Sequence, residues 1–331
     1  MKVVILHDVF FFDEALAAMQ EVATVTIMHN DSREALLAEV ADADAIAVGP
    51  GTFVDRHVID SAACLKLIAR IGVGVDRIDL QAATERGVFV TNNPASTADT
   101  VSEFTVALLL GLAKNIPSGD RAVKEGQWVA GKQRATYGNI ELRGKTHGVV
   151  GMGAIGSRVA AVCKALGMKV LYFRRTRNAH LERLLGVEYA PFDKLIRESD
   201  TISIHTPLTD ETRNLFDTPQ FEAMKRTALL INQSRGQVVN EKALLRALKE
   251  GKIGGYATDV YEKEPPDPNS ELIKLKNVIV APHVGGLSRE AGVRYSMNIA
   301  EAVIAIAKGA VPNNLVNRGV LNKAELHRGV S

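Results

Sequence analysis

Short apolar runs alternate with longer amphipathic segments along almost the whole chain, and this alternation constrains the fold more than any other feature. Val3–Leu6, Ala45–Val48, Lys66–Ala69 and Val88–Thr91 read as strands, with helical patterns such as Asp31–Ala41 and Asp79–Glu85 between them. Parallel strands need a crossover of a dozen or more residues, usually a helix, so this spacing predicts parallel sheets wound through helices. Gly87 follows the last of those helices and suits a left-handed cap. At 331 residues, with 46% apolar and 24% charged side chains, the chain has the size and balance of two globular domains.

The texture changes near residue 94. Pro94 disfavours helix at Asn93, and Thr97 to Thr100 then offer caps for a helix reaching about Leu112. That helix is apolar on most sides and is expected to be buried between lobes or subunits. A second alternating series begins at Thr146, with expected strands Thr146–Val150, Lys169–Phe173, Thr201–Ile204, Thr227–Asn232, Gly255–Thr258 and Val278–Ala281. The long helix Arg289–Lys308 comes after this second sheet is complete and is expected to cross back to the first lobe.

Bulk properties exclude several classes of function. A formal net charge of +2 provides no basic field for nucleic acid or an acidic membrane. No run of eighteen apolar residues occurs, and the opening segment Met1–Asp8 reads as a strand interrupted too early to be a signal-peptide core. The expectation is a cytoplasmic protein. Cys64 and Cys163 each sit in an apolar, helix-like run and are expected to be buried free thiols rather than a disulfide or metal pair. No metal-ligand spacing and no serine nucleophile elbow is present, so no metal is expected.

The sharpest local motif is Gly151-Met152-Gly153-Ala154-Ile155-Gly156, directly after the strand Thr146–Val150 and opening the helix Ala154–Leu166. In that context the first glycine makes a tight turn and the second lets the backbone approach a pyrophosphate. The third lets helix and strand pack closely. Free amides at the helix N-terminus, including those of Ala154 and Ile155, would meet the phosphates. The plain alternative is a glycine-rich turn. About 20 residues further on, dinucleotide folds place the residue that reads the adenosine ribose. NAD-selective proteins have an acid there; this chain has Arg174-Arg175-Thr176-Arg177. A guanidinium can grip a 2′-phosphate that a carboxylate would repel, so NADP(H) is expected over NAD(H). The alternative is a solvated run of surface arginines.

Three later segments resemble the D-isomer-specific 2-hydroxyacid dehydrogenase family. They are Asn232-Gln233-Ser234-Arg235-Gly236, Gly255 through Glu264-Pro265, and Ala281-Pro282-His283-Val284-Gly285-Gly286. Gly72-Val73-Gly74-Val75-Asp76 resembles the family's substrate loop, Thr100-Val101-Ser102-Glu103 its interdomain helix and His205-Thr206-Pro207-Leu208-Thr209 a cofactor loop. The resemblance runs from about residue 40 to 317, with the motifs in the family's order. It implies Arg235, Glu264 and His283 as the catalytic residues. Arg235 would bind and polarise a 2-keto acid, and His283 would be the general acid in reduction, oriented by Glu264. Reduction needs a fixed carboxylate, a hydride donor and a proton for the developing alkoxide, so these residue types suit the chemistry. A free imidazole titrates at about 6.5, and a neighbouring carboxylate favours its charged form. The resemblance also implies Val73 and Gly74 as amide donors to the substrate carboxylate, with a strand-to-helix turn as the plain reading. It places Asp259 against the nicotinamide carboxamide, and Thr206, Pro207, Thr212, Gln233, Ser234, His283 and Gly285 along the cofactor. The other histidines read as structural, His205 being the first exception to consider.

Together these readings give an α/β protein with two Rossmann-like doubly wound parallel-sheet lobes and an active site in the cleft between them. Residues 1–98 plus 287–331 would form the substrate-binding (catalytic) domain and residues 99–286 the dinucleotide-binding domain. The expected substrate is a glyoxylate- or hydroxypyruvate-like 2-keto acid. Gly49 and Phe53 stand where phosphoglycerate-acting relatives tend to carry basic side chains, and only a short polar tail, Arg318–Ser331, is read after residue 317. A D-3-phosphoglycerate-dehydrogenase-like enzyme is the alternative. A cofactor-sensing binding protein, like the corepressors that resemble this family, is the rival from another class. Formate dehydrogenases of the same fold pair the catalytic histidine with Gln, which Glu264 argues against. A homodimer built on the helix Thr100–Leu112 and the segment containing Trp128 is expected from the resemblance.

Overall fold

The computed structural model describes residues 1–6, 11–30, 32–49, 51–128 and 138–322. It divides into two compact units, Met1–Thr97 with Leu287–Ser331, and Ala98–Gly286.

In the first unit, strands β1 (Lys2–Ile5), β2 (Thr24–Ile27), β3 (Ala45–Val48), β4 (Leu67–Arg70) and β5 (Phe89–Thr91) pair in parallel in the order β2-β1-β3-β4-β5. Neighbouring residues of a strand point to opposite faces, so one strand feeds two cores. Val4, Ile46 and Ile68 pack on one side, while Val3, Ile5, Ala45 and Leu67 pack on the other. The helix Arg289–Ala307 covers the second face with Tyr295, Ile299 and Val303, spaced one helical turn apart. Side-chain caps fix where several helices start: Ser32 accepts from Ala35 N, Asp55 from Val58 N and Asp79 from Ala82 N.

The second unit carries β6 (Thr146–Val150), β7 (Lys169–Phe173), β8 (Glu188–Tyr189), β9 (Thr201–Ile204), β10 (Leu229–Asn232), β11 (Gly255–Thr258) and β12 (Val278–Val280). All pair in parallel in the order β12-β11-β10-β9-β6-β7-β8. The chain winds one way from β6 to β8 and the other way from β9 onward, so the order reverses between β6 and β9. Ligands of open α/β sheets bind outside the carboxyl ends of the strands at such a reversal. The helix Ala98–Ala113 lies on this sheet, where Leu109 and Leu112 join a core with Val149, Val159 and Ile231.

Both parallel sheets agree with the sequence pattern, and several details do not. The edge strands β2 and β8 have no counterpart in that pattern. β2 is the half-exposed Thr-Val-Thr-Ile, and β8 is only two residues long. The helix expected from Thr100 begins at Ala98, which puts Thr100 in its first turn. Cys64 corrects the expectation of two buried thiols: the preceding helix ends at Ser61, and Cys64 is exposed in the turn before β4. Cys163 is buried, and burial pushes its thiol up to about 12. Gly87 has the left-handed backbone expected of it, at φ +74°. His7, Asp8, Asp31, Pro50, His327 and the end of the polar tail lie outside the described residues. Among the described residues no helix is long and apolar enough to cross a membrane, and no cluster of three His, Cys, Asp or Glu side chains could hold a metal.

Candidate active site

In a parallel sheet every strand ends on the same edge, and the second unit's sequence-predicted site residues gather there by topology. Gly151–Gly156 follows β6, Arg174–Thr176 follows β7, and Thr206, Pro207 and Thr212 follow β9. Gln233, Ser234 and Arg235 follow β10, Asp259 and Glu264 follow β11, and His283 and Gly285 follow β12. Val73 and Gly74 belong to the first unit, in the loop after β4.

The glycine-rich turn is built as its spacing requires. Gly151 sits at φ +101°, and a Cβ there would stand 2.6 Å from the His205 carbonyl carbon, so the turns after β6 and β9 touch at the reversal point. A Cβ on Gly156 would lie 2.2 Å from the Gly151 carbonyl oxygen. Glycine is therefore the side chain that lets helix and strand close up. Gly153 faces open space, with nothing within 4 Å of a Cβ. It begins the helix Ala154–Ala165 with no side-chain cap and no acid in the first turn. The first amides of that helix are left for an anion, so the cradle fits a dinucleotide pyrophosphate.

At the end of β7 the three arginines part ways. Arg177 is bidentate to Glu182 at 2.8 and 2.7 Å, and this partner, with Tyr172 OH, holds the Glu182 carboxyl down at about 2. Arg174 is half-buried and Arg175 exposed, and among the described residues neither forms a hydrogen bond or ion pair. In the loop after β9, Thr212 Oγ1 donates to Pro207 O at 2.7 Å and accepts from Thr209 N at 2.7 Å, so its hydroxyl shapes the loop. His205 Nε2 lies 2.9 Å from Ser203 Oγ, itself 2.9 Å from His147 Nε2. Burial lowers His147 to about 4 and His205 to about 3, which keeps both rings neutral near pH 7 and fits a structural role.

The turn after β10 is tied by Asn232, a fully buried residue to which the sequence alone assigns no task. Its Nδ2 donates to Arg235 O at 2.9 Å, and its Oδ1 accepts from Ser234 N and Oγ at 3.0 and 2.9 Å. Arg235 Nη1 donates to Ser234 O at 2.8 Å. Glu264 Oε1 accepts from Tyr261 N at 3.2 Å, and Oε2 stands 3.0 Å from His283 Nδ1. His283 holds a left-handed backbone, φ +56°, which is uncommon for a side chain of its size. Tyr261 OH donates to Ala281 O at 2.7 Å, fastening the segment that leads to Glu264 against the end of β12. The resulting pair is a ring nitrogen held by a carboxylate, an arrangement in which the other ring nitrogen can carry or accept a proton.

Next to it, Asp259 is 2% exposed and accepts from Gly285 N at 2.7 Å. Burial raises its carboxyl above the usual range, against the pull of that hydrogen bond. A Cβ on Gly285 would meet Gln233 Oε1 at 2.5 Å and Asp259 Oδ2 at 2.6 Å, so both side chains crowd one glycine. Gln233 Nε2 is buried and has no hydrogen-bond partner among the described residues. An orphaned donor beside a buried acceptor fits an amide with one acceptor and one donor.

Residues 106–285 match the family described as D-isomer specific 2-hydroxyacid dehydrogenase, NAD binding domain. The chain is 42% identical to a glyoxylate reductase of Korarchaeum cryptofilum, over 88% of this chain and 87% of that protein. It is 43% identical to a D-3-phosphoglycerate dehydrogenase of Archaeoglobus fulgidus, over 96% of this chain and 59% of that longer protein. A crystal structure of a Thermus thermophilus protein superposes with a TM-score of 0.88 at 34% identity, covering 96% of this chain and all (100%) of the other. The chain belongs to the D-isomer specific 2-hydroxyacid dehydrogenase family and is an NAD(P)-dependent oxidoreductase.

Proposed function

We propose that this protein reduces a small 2-keto acid, glyoxylate or hydroxypyruvate in kind, to its D-2-hydroxy acid with NADPH as the preferred cofactor. The observation that carries the reading is the His283–Glu264 pair at 3.0 Å, on the sheet edge that also bears Arg235 and the glycine-rich cradle. When bound, the nicotinamide supplies the hydride. Arg235 takes the substrate carboxylate and polarises the carbonyl, with the Val73 and Gly74 amides as further carboxylate ligands. Glu264 engages Nδ1 of His283, which leaves Nε2 to deliver the proton to the forming alkoxide. Asp259 accepts from the cofactor's carboxamide, and Thr206, Pro207, Ser234 and Gly285 line its path. In this assignment residues 99–286 form the dinucleotide-binding domain, and residues 1–98 with 287–331 the substrate-binding domain.

Arg174 and Arg175, free of ion-pair partners among the described residues, support NADP(H) over NAD(H), with Thr176 beside them to meet the same phosphate. The names of the curated relatives support both glyoxylate reduction and phosphoglycerate oxidation. Phe53, a large exposed apolar side chain, favours the unphosphorylated substrate. Assembly as a homodimer is part of the reading, supported by Trp128 at 68% exposed and by exposed Ile116 and Val123 on the helix Ile116–Lys124.

The test follows NADPH and NADH absorbance with glyoxylate, hydroxypyruvate, pyruvate and phosphohydroxypyruvate. Turnover of the first two, with kcat/KM at least about tenfold higher for NADPH, is expected. Highest efficiency with phosphohydroxypyruvate would replace the substrate assignment. Cofactor binding with no turnover of any keto acid would replace the enzyme by a binding protein. Light scattering reads the dimer, and a monomer would remove that part.

A further inference from the structure

Arg70, at the end of β4, is 6% exposed, yet its guanidinium donates to backbone carbonyls: Nε to Gly74 O at 2.8 Å, and Nη1 to Ile71 O at 2.5 Å and Val48 O at 3.2 Å. Two asparagines after β5 act on the same loop. Asn92 Nδ2 donates to Val73 O at 2.8 Å, and Asn93 N donates to Gly72 O at 2.8 Å. Asn93 is itself locked by its Nδ2, which donates to Arg70 O at 2.7 Å. Four successive carbonyls, Ile71 to Gly74, are therefore held by donors at the ends of β4 and β5.

In a planar trans peptide the N–H points opposite to the preceding carbonyl. Holding the carbonyls of Gly72, Val73 and Gly74 thus turns the amides of Val73, Gly74 and Val75 away from those donors. Among the described residues, none of these three amides has a hydrogen-bond partner, and Val73 is exposed. Successive free amides make an anion receptor.

We propose that Arg70, Asn92 and Asn93 are positioning residues that preset the 72–75 loop to receive a carboxylate, with Val75 N as a third donor beside Val73 and Gly74. This rests on the reading of that loop as the keto acid's carboxylate site. The three residues touch no substrate; they act by occupying carbonyls that would otherwise be free to turn inward and repel it.

The experiment titrates oxalate, a dicarboxylate without a reducible carbonyl, into NADPH-loaded protein labelled with 15N-valine and 15N-glycine. The Val73, Gly74 and Val75 amide signals are expected to move in the wild type. In Asn92→Ala their response should be lost, with oxalate affinity and the keto acid KM each weakened about tenfold, the scale of a lost charge-assisted hydrogen bond. NADPH Kd, read by its fluorescence, should stay within about twofold, and kcat should change less than KM. Arg70→Lys, which keeps the charge and an ammonium donor but not the planar fork, should retain part of the response that Arg70→Met loses. Oxalate binding that leaves the three amides unmoved, or an Asn92→Ala loss that falls equally on NADPH Kd and melting temperature, overturns the proposal. An amide response in a protein that reduces no keto acid would uphold the receptor while sinking the enzyme reading.

Discussion

A Cβ on Gly236 would stand 1.8 Å from the carbonyl carbon of Tyr261 and 2.3 Å from Glu262 N, so the turn carrying Arg235 presses directly on the segment that runs to Glu264. Gln237 Nε2 donates to Glu262 O at 2.7 Å and fastens the same contact. Both clashing atoms are backbone, which cannot swing aside as a side chain would. Gly236→Ala should force the two segments apart, costing about 1–3 kcal/mol of stability and lowering kcat/KM further, because Arg235 and Glu264 move relative to each other. Thermal melting and steady-state kinetics with glyoxylate read both effects. A variant matching the wild type in both would show that the approach is unimportant.

The His283–Glu264 pair separates two roles that mutation can divide. His283→Ala should cut kcat about a hundredfold or more, the usual scale for a general acid. Arg235→Ala should raise KM and lower kcat together, since in the proposed assignment it acts on bound substrate and transition state alike. Glu264→Gln removes the carboxylate 3.0 Å from Nδ1 but keeps an oxygen that can accept there, so in the proposed assignment kcat should fall about tenfold while KM moves less. An unchanged kcat would take Glu264 out of the orienting role.

In the proposed assignment cofactor choice turns on Arg174 and Arg175, since Arg177 is already committed to Glu182. Replacing both Arg174 and Arg175 by Ala should lower kcat/KM with NADPH by about tenfold or more, about 1.4 kcal/mol, and leave the NADH value nearly unchanged. Equal losses with the two cofactors would mean that the arginines serve the loop rather than a phosphate.

The parallel sheets were legible because most of their strands are buried on both faces and read as short apolar runs, as Ala45–Val48 and the Leu-Leu-Ile of Leu229–Asn232 do. Edge strands lack that signature: Thr24–Ile27 is half-exposed and polar at alternate positions, and only pairing with β1 makes it a strand. Of the candidate site, the glycine-rich turn could be read from spacing, since the strand it follows and the helix it opens are its neighbours in the chain. The proposed catalytic trio entered through family resemblance, because Arg235, Glu264 and His283 lie on three different strand ends and no periodicity links them. The tasks of Asn232, Gly236 and Arg70 were hidden for a related reason. Each acts on backbone through a contact that exists only after folding, and a buried arginine bonding carbonyls looks, in sequence, like any charge at a strand end. Cys64 shows the converse error, an apolar sequence context mistaken for burial when the helix stops three residues earlier.

Ser203 Oγ, 2.9 Å from Nε2 of both His147 and His205, joins two imidazoles that the fold keeps unprotonated. Burial sets His147 at about 4 and His205 at about 3, against about 6.5 in an unfolded chain. Below about pH 6.5 the unfolded state takes up protons that the native state refuses, so stability must fall as pH drops toward about 4 for His147 and about 3 for His205. The slope is about 1.4 kcal/mol per pH unit for each proton, and unfolding at pH 5 should absorb roughly two protons on this account. His147→Asn keeps hydrogen-bonding capacity beside Thr201 and Ser203 but cannot titrate. Its baseline stability should be lower, yet its loss between pH 7 and pH 5 should be shallower by about one proton's worth. Denaturant titrations at several pH values measure that slope. Parallel losses in the variant and the wild type would show that acid sensitivity arises elsewhere.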